Sequence, residues 1–436
     1  MTDLFAARTQ MALSLGFHIV FAVAGMAMPI LMVMAEAMWL RTADAGWRQL
    51  ARLQAKATAV LFAVGAVSGT VLSFELGLLW PGFMAFAGPI VGLPFALEGY
   101  AFFLEAIFLG VYLYGWDRVS PKLHLLAGVG VAACGMLSGA FVVTVNAWMN
   151  APTGFTLLDG ALVDVAPWQA MMNPMAPSQV VHMLLAANVS VGFAVAGVHA
   201  VGLWRRPTAT LHRRALALAL LLGGSSAIVQ PLSGHLSGEA VAHTQPVKLA
   251  AMEGQFTTER DAPLRIGGWP DEARRETPWA IEIPYALSIL AHGDPHAEVL
   301  GLEAFPEEDW PPVAVVHLAF QVMIGIGTLL ALVSVGVAGV TAWRREVPTS
   351  RPVLALLVLC APLGVVALEA GWVVTEVGRQ PWIIQGVMRT SEAVTPVQGL
   401  SATLVGYALI YLVLAVVVVR LLAALAAAVD GEGGAR

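Results

Sequence analysis

The run GLPFALEGYAFFLEAIF, residues 92–108, is apolar except for two glutamates, Glu98 and Glu105. Continued to residue 115, it reaches the roughly 20 apolar residues that cross a bilayer as a helix. Lipid offers no partner for backbone N–H and C=O groups, so a run of this length and composition closes its hydrogen bonds on itself. The two glutamates are seven positions apart. Two helical turns put them on one face, with Glu105 about 10 Å further along the axis at 1.5 Å per residue. An ionisable group inside a span costs about 2.5–3.5 kcal/mol on insertion scales, so each one calls for a reason.

Outward from that segment the pattern repeats. Apolar runs occupy 11–39, 57–79, 93–115, 123–147, 179–204, 214–236, 313–342, 353–376 and 396–427. The expected fold class is all-α: a polytopic membrane bundle of about nine helices, six in 1–236 and three in 313–430. Composition agrees. Of the 436 residues 58% are hydrophobic and only 12% charged, against about 25% charged in soluble domains, and the mean hydropathy is +0.76. The net charge is -6, and no long basic patch points to nucleic acid. Cys134 and Cys360 both lie in apolar runs, and no C-x-x-C-H segment offers covalent haem attachment. The first run is too long for a signal-peptide core and reads as the first span.

Basic residues collect in alternate loops. Arg41, Arg48, Arg52 and Lys56 follow span one, Arg118 and Lys122 span three, Arg205, Arg206, Arg213 and Arg214 span five, and Arg344, Arg345 and Arg351 span seven. The stretches 80–97 and 148–178 carry none, and the loop after span eight has only Arg379 and Arg389. Positive charge marks the cytoplasmic side, so the N-terminus is expected outside and the C-terminus inside. The long segment 237–312 then falls outside. Its stretches PVKLAAMEGQF and IPYALSILA predict two short helices, and a loop of this length is expected to be folded and functional. The tail 431–436 is expected to be disordered.

On this topology His18, Glu98, His182, Met323 and Glu376 all lie toward the outer side at similar depth, with Glu105 deeper. Taken singly, each has a plain reading: histidine, serine and asparagine hydrogen-bond between helices, methionine fills space, and carboxylates line proton paths. Together they suit haem. Imidazole and thioether are axial ligands, and a His/Met pair closes a low-spin iron, whereas an oxygen-reducing iron keeps one side open. Ser138 and Asn146 are candidates to extend a proton path from Glu105. A proton-coupled transporter without haem is the alternative from another class, but it leaves the His/Met pair unexplained. A four-histidine di-haem bundle finds only His18, His182 and His199 well inside spans, with His124 and His317 at the edges.

At this point the chain resembles subunit I of the cytochrome bd-type quinol oxidases. GLPFALEGYAFFLEAIF, GWDRVSP (115–121), VNAWMNAP (145–152), KLAAMEGQF (248–256), IPYALSI (283–289) and EAGWVVTEVGRQPW (369–382) carry the resemblance, in the family's order. It implies that His182 and Met323 hold a low-spin haem b, and that His18 and Glu376 hold a pair of high-spin haems, one of b type and the other of d or b type. It places Glu98 at the oxygen site and Glu105 on the proton path. Trp372 and Arg379 fall beside the haem pair, and Lys248 and Glu253 at the quinol site of the loop. It further implies oxygen and quinol as substrates, lipid and a second membrane subunit as partners, and a bacterial plasma membrane as location. The chain departs from the family at Gln321, where many members carry Arg; at His235, where an acid is common; and at Ala106, where some carry serine. Its loop matches the short-loop branch. A bd-like haem protein with a different electron donor is the nearest rival reading.

Overall fold

The computed structural model describes residues 2–432, with side chains to 426. Among the described residues, nine helices are long and apolar enough to cross a membrane. They are α1 (Asp3–Thr42), α2 (Ala45–Leu79), α3 (Pro81–Tyr114), α4 (Pro121–Asn150), α5 (Ala176–Arg205) and α6 (Thr210–Thr244). After them come two short loop helices, α7 (Pro246–Glu253) and α8 (Ala286–His292). The chain then returns in α9 (Val313–Arg344), a broken span α10 (Arg351–Cys360) and α11 (Leu363–Val377), and α12 (Leu400–Glu432). The last four residues of the expected disordered tail lie outside the described residues; Gly431 and Glu432 still continue α12.

The helices outrun the apolar runs because lipid bounds only their middle portions. Polar ends are capped outside them: the side chain of Thr2 accepts from Phe5 N, that of Asp44 from Gly46 N and that of Ser120 from Leu123 N. The largest correction concerns 80–92, expected as the connection between spans two and three. Trp80 alone separates α2 from α3, which starts at Pro81 and runs through Pro89 and Pro94. Pro81 at the first helical position costs nothing, because that N–H lacks an intrahelical acceptor. Pro362 breaks the eighth span instead. Likewise α6 continues to Thr244, so the connecting loop starts at Gln245 rather than 237.

Spans alternate, so the N-terminus and the 245–312 loop share one face of the bundle, here the loop face; the arginine-rich connections lie on the opposite, basic face. There Arg48 and Arg52 pair with Asp117, and Arg214 with Asp44. Two antiparallel pairings order the loop, Leu264–Ile266 with Ile281–Ile283 and Glu259–Arg260 with Glu298–Val299. Leu249, Ala250, Ala251 and Met252 of α7 pack with Leu287, Leu302, Val313 and Val316 in one buried cluster. Burying a side chain such as leucine or methionine is worth about 1.5–3 kcal/mol, so this cluster holds the loop down on the bundle.

Candidate functional site

His18 on α1 stands against α2. Its Nδ1 is 3.0 Å from Ser68 Oγ, and that hydroxyl donates to Val64 O at 2.9 Å and Gly65 O at 3.1 Å. A hydroxyl has one proton, and here backbone carbonyls take it. The imidazole therefore donates from Nδ1 to Ser68, and the lone pair is on Nε2. A Cβ on Gly69 would stand 2.8 Å from His18 Cε1, so only glycine leaves room for the ring.

His182 on α5 repeats the device against α6. Nδ1 lies 2.9 Å from Ser233 Oγ, which donates to Gln230 O at 2.9 Å. Gln230 Nε2 donates to His182 O and stands 3.2 Å from both ring nitrogens. Fixing one nitrogen by a hydrogen bond and presenting the other is how proteins prepare a metal-binding histidine. The remaining buried histidines differ. His124 engages Glu36 Oε1 at 2.7 Å and Tyr112 O at 2.9 Å. His317 engages Met252 O and Gly267 O, both at 2.9 Å, and His199 meets His212 Nδ1 to Nδ1 at 2.8 Å.

Met323 on α9 faces α11, where a Cβ on Gly371 would lie 3.0 Å from its sulfur. Glu376, near the end of α11, receives bonds on both oxygens: Asn146 Nδ2 donates to Oε1, and Arg379 Nη2 donates to Oε2 at 2.6 Å. Arg379 is 2% exposed, and its Nε and Nη1 are buried without partners, as is Trp372 Nε1. A buried guanidinium with two idle N–H groups suits a second anion, such as a haem propionate. Imidazoles held through Nδ1 by serines, a thioether beside a glycine and an under-satisfied arginine together fit haem.

The acids form tiers rather than one layer. Ser138 Oγ donates to Glu98 at 3.3 Å. Asn146, which binds Glu376, is eight residues further along α4, about 12 Å at the helical rise. Glu376 therefore sits nearer the loop face than Glu98. Glu105 is deeper still and 3% exposed, with Oε1 unpaired. It lies where α1 and α4 touch: a Cβ on Gly135 would be 2.8 Å from Gly25 O and 3.2 Å from Glu105 Oε1.

The loop residues are placed less as expected. Lys248 and Glu253 are 2% and 1% exposed, so both are packed inside the loop rather than on its surface. The ammonium of Lys248 points inward, donating to Asn150 Oδ1 at 2.5 Å and Thr375 O at 3.2 Å. Burial, reinforced by the nearby Arg379 and opposed by Glu376, holds it well below the usual lysine range. Glu253 faces the strand at Arg265. Burial pushes its carboxyl up to about 8, although Arg265 and its backbone N–H pull the other way. Gln321 binds the loop backbone: its Nε2 donates to Arg265 O at 3.0 Å, and its Oε1 accepts from Gly267 N at 2.9 Å. His235 is exposed.

Sequence reasoning passed over three acids inside its own spans. Glu36 is wholly buried against His124. Glu75, also wholly buried, accepts from Gln10 Nε2 at 2.8 Å. Glu369 has a buried, unpaired Oε1. The cost of an ionisable group in a span would have flagged all three. Ser68, Ser233 and Asn150 gave no such signal.

Fold and donors define a polytopic helical membrane protein built around half-buried imidazole, thioether and carboxylate groups, the chemistry of membrane haem proteins. Comparison with known proteins makes the class particular: the profile of the cytochrome bd terminal oxidase subunit I family matches residues 6–429, and the chain belongs to that family. It is 38% identical over 429 residues to the putative cytochrome bd menaquinol oxidase subunit I of Bacillus subtilis (strain 168), covering 97% of this chain and 96% of that one. It is 28% identical to the cytochrome bd-II ubiquinol oxidase subunit 1 of Escherichia coli (strain K12), covering 88% of each. The solved bd oxidase of Geobacillus thermodenitrificans superposes with a TM-score of 0.91 at 39% identity, over 97% of this chain and 98% of that one. The chain is thus an oxidoreductase of bacterial membrane electron transport.

Proposed function

We propose that this chain is subunit I of a quinol:oxygen oxidoreductase. In this reading His182 and Met323 hold a low-spin haem b. His18 and Glu376 hold two high-spin haems, one of b type and the other of d or b type. When bound, these groups supply one-electron transfer and the reduction of oxygen to water. The observation that carries the reading is the pair of intramembrane histidines, His18 and His182, each held through Nδ1 by a serine hydroxyl of the neighbouring helix.

The chain's own residues do the rest. Glu98 and Glu105 carry protons from the basic, cytoplasmic face toward the oxygen site, and Ser138 donates to the upper of the two. Arg379 offsets the charge of Glu376 and of a propionate, and Trp372 stands by with its N–H. Quinol is oxidised against the loop near Glu253. A carboxyl holding its proton up to about pH 8 is matched to exchange with a hydroquinone near neutrality. The loop face is the outer face, so quinol protons leave outside while oxygen takes protons from inside, and charge separates without a pump. A second membrane subunit and lipid cover the apolar flanks.

Purified protein is expected to show haem b by pyridine haemochrome and to take up oxygen with quinol. His182→Ala is expected to abolish the low-spin spectrum. An unchanged spectrum would overturn the ligand assignment, and oxygen uptake with an artificial donor but no quinol would overturn the substrate.

A further inference from the structure

Lys248 lies on the loop helix α7, yet its ammonium is buried in a polar chain that ends on Glu376. Lys248 Nζ donates to Asn150 Oδ1 at 2.5 Å and to Thr375 O at 3.2 Å. Asn150 Nδ2 donates to Asn146 O at 2.8 Å and to Asn146 Oδ1 at 3.1 Å. Thr375 Oγ1 donates to that same Asn146 Oδ1 at 3.2 Å. Asn146 Nδ2 then donates to Glu376 Oε1.

Asn146 and Asn150 are one helical turn apart on α4, so their amides stack along one face. Asn150 is wholly buried, Asn146 is 8% exposed and Lys248 2% exposed. The lysine stem is seated as firmly as its head: a Cβ on Gly378 would lie 3.2 Å from both Cγ and Cε of Lys248. Nothing in this arrangement faces a bound substrate on the loop surface. Every link orients the next amide, and the last link fixes one carboxylate oxygen while Arg379 fixes the other.

We propose that Lys248 is a positioning residue for Glu376, acting through Asn150 and Asn146, so that the loop helix sets the orientation of the carboxylate at the high-spin haem pair. Lys248 Nζ, as a hydrogen-bond donor, fixes the Asn150 carbonyl, and that amide in turn holds Asn146 with its N–H groups toward Glu376. Polar chains of this kind strengthen one another inside a protein, and groups that orient a metal ligand typically change affinity 10- to 100-fold when removed.

The proposal rests on the reading of Glu376 as an iron ligand, and the experiment separates the two. Glu376→Ala, Lys248→Met, Asn150→Ala and the Lys248→Met/Asn150→Ala double variant are purified in the complete oxidase. Haem content after detergent washing, the spectrum of each haem and the KM for quinol are then recorded. The low-spin haem spectrum reports folding. Lys248→Met and Asn150→Ala are each expected to weaken retention of the Glu376-side haem about 10- to 100-fold and to move its spectrum. The double variant is expected to lose no more than the worse single one, because both act through one chain. If Glu376→Ala leaves haem content unchanged, the ligand reading falls and takes the proposal with it. If Glu376→Ala removes a haem while Lys248→Met only raises the quinol KM, the ligand reading stands and the proposal is overturned.

Discussion

Glu253→Gln isolates the cost of a buried acid in the loop. Glu253 is 1% exposed with Oε2 unpaired, and the guanidinium of Arg265 is already engaged by Glu282 at 3.1 Å and Glu259 at 3.5 Å. The carboxyl therefore keeps its proton from an ordinary 4.5 up to about 8. That difference corresponds to about 5 kcal/mol between the protonated and ionised forms. The folded loop binds the proton more tightly than the unfolded one. Its contribution is fully present below about pH 4.5, falls as pH rises between 4.5 and 8, and is gone above 8. Glutamine keeps the shape and removes the titration. Hydrogen exchange of the α7 and 281–283 amides, measured from pH 5 to 9 with the intrinsic rate divided out, is the assay. Wild-type protection is expected to drop by orders of magnitude over that range, and Glu253→Gln to hold its low-pH level throughout. A wild-type profile flat between pH 5 and 8, or a variant that follows it, refutes the reasoning.

Gly69→Ala brings a methyl to 2.8 Å from the His18 ring, so the haem held there is expected to be lost while the His182 spectrum persists, as optical difference spectra would report. Gly371→Ala meets only the flexible end of Met323, at 3.0 Å, and is expected to shift the low-spin band without abolishing it. His124→Ala strips the wholly buried Glu36 of its partner; unfolding in detergent should show a loss of about 3–5 kcal/mol, and a loss under 1 would mean that Glu36 finds another partner. Glu105→Gln is expected to slow oxygen reduction at least tenfold while every haem spectrum is kept, with turnover under saturating quinol as the measure.

The spans were legible because lipid demands a long apolar run for each, a constraint that one chain displays without its neighbours. Residues 81–92 were left outside the third span, whereas Pro81 occupies a first-turn position and Pro89 lies within α3. His18, His182 and the two glutamates of α3 stood out as polar groups in an apolar setting. Ser68 and Ser233 did not, since a serine in a span usually bonds its own backbone, and these do that as well. The inward turn of Lys248 was hidden for another reason. Its partners Asn150 and Thr375 are 98 and 127 residues away in the chain, and no local pattern records such a meeting.

The contact of α1 and α4 at Gly25 and Gly135 has an electrical meaning. Two backbones this close, with the Glu105 carboxyl filling the remaining gap, leave no passage for a hydrated sodium or potassium ion. A proton can still be handed across a carboxyl group. On the proposed proton path the glycine pair is an insulator around a single conductor, keeping a membrane voltage from leaking back through that site.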